Sequence, residues 1–176
     1  MDLVEELIFN IMLVMFPILV YFVYKCYNQV FIKKYNFLLL GFTLFSSVYL
    51  SLKYGGVSTN NIMLLFCNIP IIIAYIKKEE ILGLLLSLVV ILYCYFNFDY
   101  NIYVLLIKYS VYAIIYYYLK TKVDKSNFIK IIFVVQGFFL SFEYFFVNNV
   151  EDLMVIIKLL FLVIIVYTIT IIILYL

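Results

Sequence analysis

Long apolar segments, separated by short polar ones, recur along the whole of this chain. A helix needs about 20 predominantly apolar residues to cross the hydrocarbon core of a bilayer, and seven segments approach that length. The predicted spans cover residues 3–24, 37–52, 62–76, 81–96, 102–119, 128–146 and 153–176. The pattern therefore predicts an all-α, polytopic transmembrane helix bundle that forms a single domain over residues 1–176.

The second, third and fourth predicted spans are short for helices that cross a bilayer directly. Flanking tyrosines and asparagines would extend these spans to full length, or a locally thin bilayer would accommodate them as they are. A six-span alternative stays open, in which one short pair forms a re-entrant element.

Lysines give the predicted orientation, because they collect on every second loop. The lysine-rich loops hold Lys25, Lys33 and Lys34, then Lys77 and Lys78, then Lys120, Lys122, Lys125 and Lys130. Positive loops lie in the cytoplasm. Seven spans with the N-terminus outside and the C-terminus inside satisfy this alternation, whereas an even number breaks it.

Composition agrees with this class of protein. Apolar residues make up 69% of the chain and charged residues 12%, which leaves too little polar surface for a soluble fold. A net charge of +2 without a basic patch predicts no nucleic-acid partner. Acidic residues near the N-terminus argue against a cleaved signal peptide. The excess of Ile, Asn, Lys, Tyr and Phe is typical of an AT-rich genome, which points to a bacterial cell membrane.

Enzyme and metal signals are lacking in the sequence. The chain has no His, and its three cysteines are widely spaced, so we expect no metal site and no cofactor. Cys67 and Cys94 fall in apolar runs and are expected to be buried. The pair Glu79–Glu80 is expected to begin the fourth helix, where acidic groups complement the helix dipole.

Tyrosines near the span ends predict an interfacial aromatic belt. Its predicted members are Tyr21, Tyr24, Tyr75, Tyr93, Tyr95, Tyr116, Tyr117, Tyr118, Tyr144 and Tyr175. Tyr109 and Tyr112 fit the helix core better.

Ionisable groups inside a membrane are costly, so each is a candidate functional residue. Three lie roughly 6–9 Å below the outer surface, in the fifth, sixth and seventh spans. Together with nearby amides they form a predicted polar ligand pocket of Asn10, Asn68, Lys108, Gln136, Glu143 and Lys158. Glu143 would pair with one lysine and leave the other for an anionic or polar ligand. The alternative is that each lysine snorkels to the headgroups.

Pro17 and Pro70 lie inside predicted spans, where each removes a backbone donor. They are candidate hinges, and the alternative is that the membrane helices simply tolerate them. Asn68 is placed to satisfy backbone groups that Pro70 frees.

Two segments carry a resemblance to a known family. They are the run FNIMLVMFPILVY over residues 9–21, and NIPIIIAY over residues 68–75 with a short turn and the run ILGLLLS from residue 81. This resembles the membrane sensor domain of sporulation kinase B-like histidine kinases and the LytS-type five-transmembrane receptors. The resemblance covers about the first hundred residues. The family often has a Gly-Gly turn where this chain has Lys77 and Lys78.

The resemblance implies a receptor-type sensor domain that passes a signal through its last helix to a cytoplasmic output. The implied partners are the lipid bilayer, a cytoplasmic kinase or output module, a small ligand and a second copy of the chain. No kinase module is present in these 176 residues, so the chain is expected not to be an enzyme itself.

Two alternative functions stay open. One is the substrate-binding membrane subunit of a vitamin-type importer, although residues 7–24 lack the small residues that dock such subunits to their partners. The other is an accessory membrane protein without a ligand.

Overall fold

The computed structural model describes residues 3–27, 29–54, 60–97 and 101–119, together with single helical positions at 127, 130, 131, 134, 135, 138, 161, 164 and 168. The chain divides into two compact units, Met1–Ile102 and Tyr103–Leu176. Each unit is described by itself, and the single domain stays a prediction.

Five helices form the described architecture. They are α1 (Leu3–Tyr27), α2 (Gln29–Tyr54), α3 (Asn60–Ile76), α4 (Glu80–Asn97) and α5 (Ile102–Leu119). They match the first five predicted spans, and the helical bundle is confirmed. The sixth and seventh predicted spans, 128–146 and 153–176, lie largely outside the described residues.

Helix α2 corrects the expectation that the second span is short. It has 26 residues and begins at Gln29, well before the predicted start at residue 37. Backbone hydrogen bonds continue a helix through polar residues as readily as through apolar ones, so hydropathy locates only the part that lies in hydrocarbon. Three segments are long and apolar enough to cross a membrane, namely Ile8–Tyr27, Tyr35–Tyr54 and Glu80–Asn97. The chain is therefore a membrane protein by length and composition of its helices.

Helices α1 and α2 form an antiparallel hairpin. The Ser47 hydroxyl donates to the Val14 carbonyl over 2.8 Å in the buried interface. Nearer the connection, the Tyr21 hydroxyl donates to the Asn36 side-chain oxygen. The later α1 residue, Tyr21, therefore pairs with the earlier α2 residue, Asn36, so the two helices run in opposite directions.

Helix α3 is the centre of the first unit and packs against α1, α2 and α4. Every residue from Phe66 to Ile76 is buried. This explains why residues 66–76 are apolar on every side except at Asn68, since a helix surrounded by protein needs no polar face.

The turn between α3 and α4 is a Schellman motif. The Glu79 N–H donates to the Ala74 carbonyl over 3.0 Å, and the Lys78 N–H donates to the Tyr75 carbonyl over 2.9 Å. Lys78 adopts the left-handed region with φ of 65°. The Gly83 N–H then donates to the Glu79 carbonyl, so Glu79 is the N-cap residue and Glu80 the first residue of α4, which confirms the predicted place of this acidic pair at the start of the helix. The charged turn connects two antiparallel helices with almost no intervening chain.

The outer surface of the first unit is apolar, unlike that of a soluble protein. Large apolar side chains face outward, among them Met12, Phe16 and Phe42, which are 63%, 68% and 74% exposed. The described buried core is also mainly apolar, with a few asparagine and serine side chains in it. A surface of this kind is stable against lipid tails, which is consistent with the predicted bilayer environment.

The predicted tyrosine belt is only partly correct. Tyr24, Tyr95, Tyr117 and Tyr118 are exposed, whereas Tyr21, Tyr75 and Tyr116 are buried in the core. Position near a helix end does not fix direction around the helix axis, so a tyrosine there can face the protein interior as these three do. Tyr144 and Tyr175 lie outside the described residues.

Candidate functional site

Four buried polar side chains of the first unit, on α1, α2 and α3, fall near one level of the bundle. Ser47 meets Val14, as described above. One helical turn away on each antiparallel helix, on the same faces, stand Ser51 on α2 and Asn10 on α1. Asn10 and Ser51 are both fully buried. The α1–α2 register thus places an amide and two hydroxyls within about one turn, roughly 5–6 Å, along the bundle axis.

Helix α3 contributes Asn68 to the same region. The Lys77 ammonium lies 5.4 Å from the centre of the Phe22 ring, so the C-terminal ends of α1 and α3 lie together. Asn68 lies about as far before Lys77 along α3 as Val14 lies before Phe22 along α1. Asn68 is therefore near the level of Val14 and Ser47. Asn68 is 1% exposed. We call Asn10, Ser47, Ser51 and Asn68 the polar layer.

Both prolines add hydrogen-bond acceptors near this layer. Pro17 lies in α1 and Pro70 in α3. Because proline has no N–H, the carbonyls of Leu13 and Phe66 lose their usual helical donors. These positions lie within about one turn of Asn10 and Asn68. The predicted placement of both prolines inside helices is confirmed, while their role as hinges stays a prediction.

Ser51 is the most informative member of the polar layer. Among the described residues, its hydroxyl oxygen is buried and has no hydrogen-bond partner. A buried hydroxyl in that state costs about 1–3 kcal/mol. Buried unsatisfied groups of this kind call for a bound water or ligand at the site. Within the described part of the chain, the Ser51 hydroxyl therefore has unused hydrogen-bonding capacity.

Asn10 and Asn68 were predicted as pocket residues from the sequence, whereas the two serines were not. Serine is common in helices and often bonds its own backbone, as the Ser87 hydroxyl does to the Gly83 carbonyl over 2.8 Å. The four-residue spacing of Ser47 and Ser51 was the available signal. Only the packing of α2 shows that this face is buried.

The remaining predicted pocket residues belong to the second unit. Lys108 on α5 is 0% exposed, so its side chain does not extend from the protein surface as snorkelling requires. Gln136, Glu143 and Lys158 lie outside the described residues. The predicted pairing of Glu143 with a lysine therefore stays a prediction, as does a single pocket formed by all six residues.

Cysteine and acidic side chains are the ligands from which this chain, which has no His, could build a metal site. Within the described ranges, no group of three His, Cys, Asp or Glu side chains is placed to hold a metal ion. Cys67 and Cys94 are buried as predicted, and Cys26 is exposed.

Comparison with protein-family models, curated proteins and solved structures finds no match to this chain. The resemblance to histidine-kinase sensor domains therefore stays a hypothesis that rests on the short motifs quoted above.

Proposed function

We propose that this chain is a receptor-type sensor domain of the bacterial cell membrane. In this proposal it crosses the bilayer seven times, with the N-terminus outside and the C-terminus inside. A signal received by the bundle shifts the last span, over residues 153–176, and a cytoplasmic kinase or other output module responds to that shift.

The observation that carries the proposal is the polar layer. Asn10, Ser51 and Asn68 are buried in an otherwise apolar bundle, and the Ser51 hydroxyl has no hydrogen-bond partner in the described part of the chain. None of these side chains carries a charge, and the freed carbonyls of Leu13 and Phe66 can only accept hydrogen bonds. The chemistry favours a small uncharged ligand that presents N–H or O–H groups.

The extent of the first unit supports the same interpretation. The residues that resemble the kinase sensor domains end near residue 100, and the first compact unit ends at Ile102. Lys78 adopts a positive φ at the position where that family often has glycine. Glycine adopts a positive φ readily, so the glycine of the family and Lys78 of this chain meet the same backbone requirement at the turn.

The importer alternative gains no support from α1. The outward face of this helix carries large residues, including Ile8, Met12, Phe16 and Val23, each more than half exposed. Close docking of a partner helix needs small residues that let the backbones approach.

A chimeric receptor tests the proposal. The full chain is fused, in place of the native membrane domain, to the cytoplasmic part of a sensor kinase that drives a reporter. Small uncharged polar compounds are then screened. We expect at least one compound to change reporter output, and Ser51→Ala and Asn68→Leu to weaken that response. Ser46→Ala is the matched control, because the Ser46 hydroxyl bonds the Phe42 carbonyl of its own helix.

The proposal fails if no compound changes the reporter output in a chimera that inserts correctly. It also fails if Ser46→Ala reduces the response as much as Ser51→Ala does, since the polar layer would then have no special part in it.

A further inference from the structure

Ser47 and Ser51 occupy equivalent positions one turn apart on α2, yet only Ser47 bonds to α1. The Ser47 hydroxyl donates to the Val14 carbonyl, and one turn further along both antiparallel helices Ser51 lies opposite Asn10. The same geometry would let the Ser51 hydroxyl donate to the Asn10 carbonyl, but it has no hydrogen-bond partner in the described part of the chain. Ser51 is nevertheless 0% exposed. A buried hydroxyl that the helix contact leaves unused points to a bound group between α1 and α2.

The atoms nearest to this position in the register are uncharged oxygens. They belong to the Ser51 hydroxyl, the Asn10 side chain and the Asn10 backbone carbonyl. The Leu13 carbonyl lies within a turn and has no helical donor, because Pro17 follows it by four residues. An amide or carbonyl oxygen has two lone pairs, so Asn10 can coordinate a further group while it keeps its other interactions. Oxygens of this kind, at interrupted membrane helices, coordinate sodium ions.

The position of Ser51 along α2 favours a cation. Ser51 lies in the last turn of this helix, which ends at Tyr54. The helix dipole is negative there, and the final carbonyls have no donors within the helix. Divalent cations are usually bound by carboxylates, and no member of the polar layer carries one. The uncharged set of oxygens therefore favours a monovalent ion.

Lys53 lies in the same turn but on the opposite, outward side of α2. Its ammonium lies 5.5 Å from the centre of the Tyr49 ring and 5.2 Å from the centre of the Tyr54 ring. These two tyrosines are 52% and 49% exposed. The ring contacts hold the lysine charge at the surface, so it does not occupy the place of a cation beside the buried Ser51 hydroxyl.

We propose that the polar layer binds a sodium ion between Ser51 and Asn10. This inference deepens the proposed function and rests on its orientation, which places this end of α1 and α2 outside, where the ion enters from solution. The ion lies on the α1–α2 side of the layer and leaves Asn68 of α3 for the uncharged ligand. No His or Cys takes part, and those were the ligands that the expectation of no metal site concerned.

Thermal unfolding of the purified full chain in neutral detergent tests the ion site without any kinase module. Sodium chloride replaces N-methylglucamine chloride at a constant total concentration, so that ionic strength and chloride stay fixed. We expect the unfolding midpoint to rise with sodium and then to saturate. At about 100 times Kd the rise should be about 5–10 °C.

Variants identify the residues responsible. Ser51→Ala should abolish the rise, and so should Asn10→Leu. Without sodium, Ser51→Ala should be at least as stable as the wild type, because it removes a buried hydroxyl that has no partner among the described residues. A purely structural role of Ser51 predicts a lower midpoint in both salts instead. Ser46→Ala is the matched control, because the Ser46 hydroxyl bonds the Phe42 carbonyl of its own helix and should leave the sodium effect intact.

Two results would overturn the ion site. One is the same midpoint for the wild type in both salts, which would assign water to Ser51. The other is an undiminished sodium effect in Ser51→Ala, since the ion would then bind elsewhere. The receptor function fails separately: a saturating sodium effect without any active compound in the chimera supports the ion site and overturns the receptor. A responsive chimera without a sodium effect overturns the ion site alone.

Discussion

Gly83 of α4 packs directly against the Tyr75 ring of α3, and adding one methyl group there tests the packing of the first unit. A Cβ on Gly83 would lie 2.6, 2.8 and 2.9 Å from three atoms of the Tyr75 ring. Ordinary carbon contacts are about 3.5–4.0 Å, so Gly83→Ala forces the ring or the helix to move by about 1 Å. Tyr75 is 2% exposed, within a segment of α3 that is buried throughout, so the ring has no free space to enter.

The magnitude follows from two opposing contributions. Overpacking a well-filled core costs about 1–3 kcal/mol. Replacing glycine by alanine within a helix returns about 0.5–1 kcal/mol. We therefore expect Gly83→Ala to lower the free energy of unfolding by about 1–2 kcal/mol, which lowers the midpoint by about 2–8 °C for a chain of this size.

Gly41 provides the matched control, because it is also a buried glycine in a helix of the same unit. A Cβ on Gly41 would lie 3.5 Å from the Leu82 Cδ1 atom, which is ordinary contact. Gly41→Ala should therefore be neutral or stabilising by up to about 1 kcal/mol. Both variants and the wild type are unfolded by heat in the same mixed micelles. If Gly83→Ala is as stable as Gly41→Ala, the packing argument is wrong.

A double-mutant cycle separates the clash from other effects of the substitution. Tyr75→Leu removes the ring and leaves space for a methyl group at position 83. Combined with Gly83→Ala it should be more stable than the sum of the two single changes implies, by about 0.5–3 kcal/mol. Strict additivity would mean that Gly83 and Tyr75 are not in contact.

Three further predictions concern the first unit. Lys78→Gly should raise the free energy of unfolding by about 1 kcal/mol, because glycine adopts the left-handed backbone conformation without strain. Lys78→Ala should leave the free energy of unfolding unchanged. An equal gain in both variants would show that removal of the lysine charge is responsible. Ser47→Ala should cost about 0.5–1 kcal/mol through the lost hydrogen bond to α1, and Ser46→Ala, which breaks no bond between helices, should cost less in the same unfolding assay. A maleimide should label one cysteine, Cys26, in the folded protein and three after denaturation, as counted by mass spectrometry; rapid labelling of either buried cysteine would contradict the core assignment.

Much of the fold could be predicted because hydrophobic span length is a local property. The end of α3 at Ile76 and the start of α5 at Ile102 were predicted to the residue. The start of α2 at Gln29 was not predicted, because the first two turns of this helix are polar and hydropathy detects only the part of a helix that lies in the hydrocarbon core.

The candidate site was less predictable, because burial around a helix depends on its neighbours. Asn10 and Asn68 stood out as amides in apolar runs. Ser51 did not stand out, since its hydroxyl is buried only because α2 packs against α1. Tyr75 was assigned to the membrane interface from its position along the chain, yet it faces Gly83 in the protein interior.

The short turn between α3 and α4 also bears on how the protein reaches the membrane. Helix α3 has 17 residues, at the lower limit for a span, and its residues from Phe66 to Ile76 are buried in the folded unit. The turn of Lys77, Lys78 and Glu79 cannot be pulled across the bilayer separately from the helices on either side. We expect the insertion machinery to release α3 and α4 together as a helical hairpin, with the charged turn retained on the side where synthesis occurs.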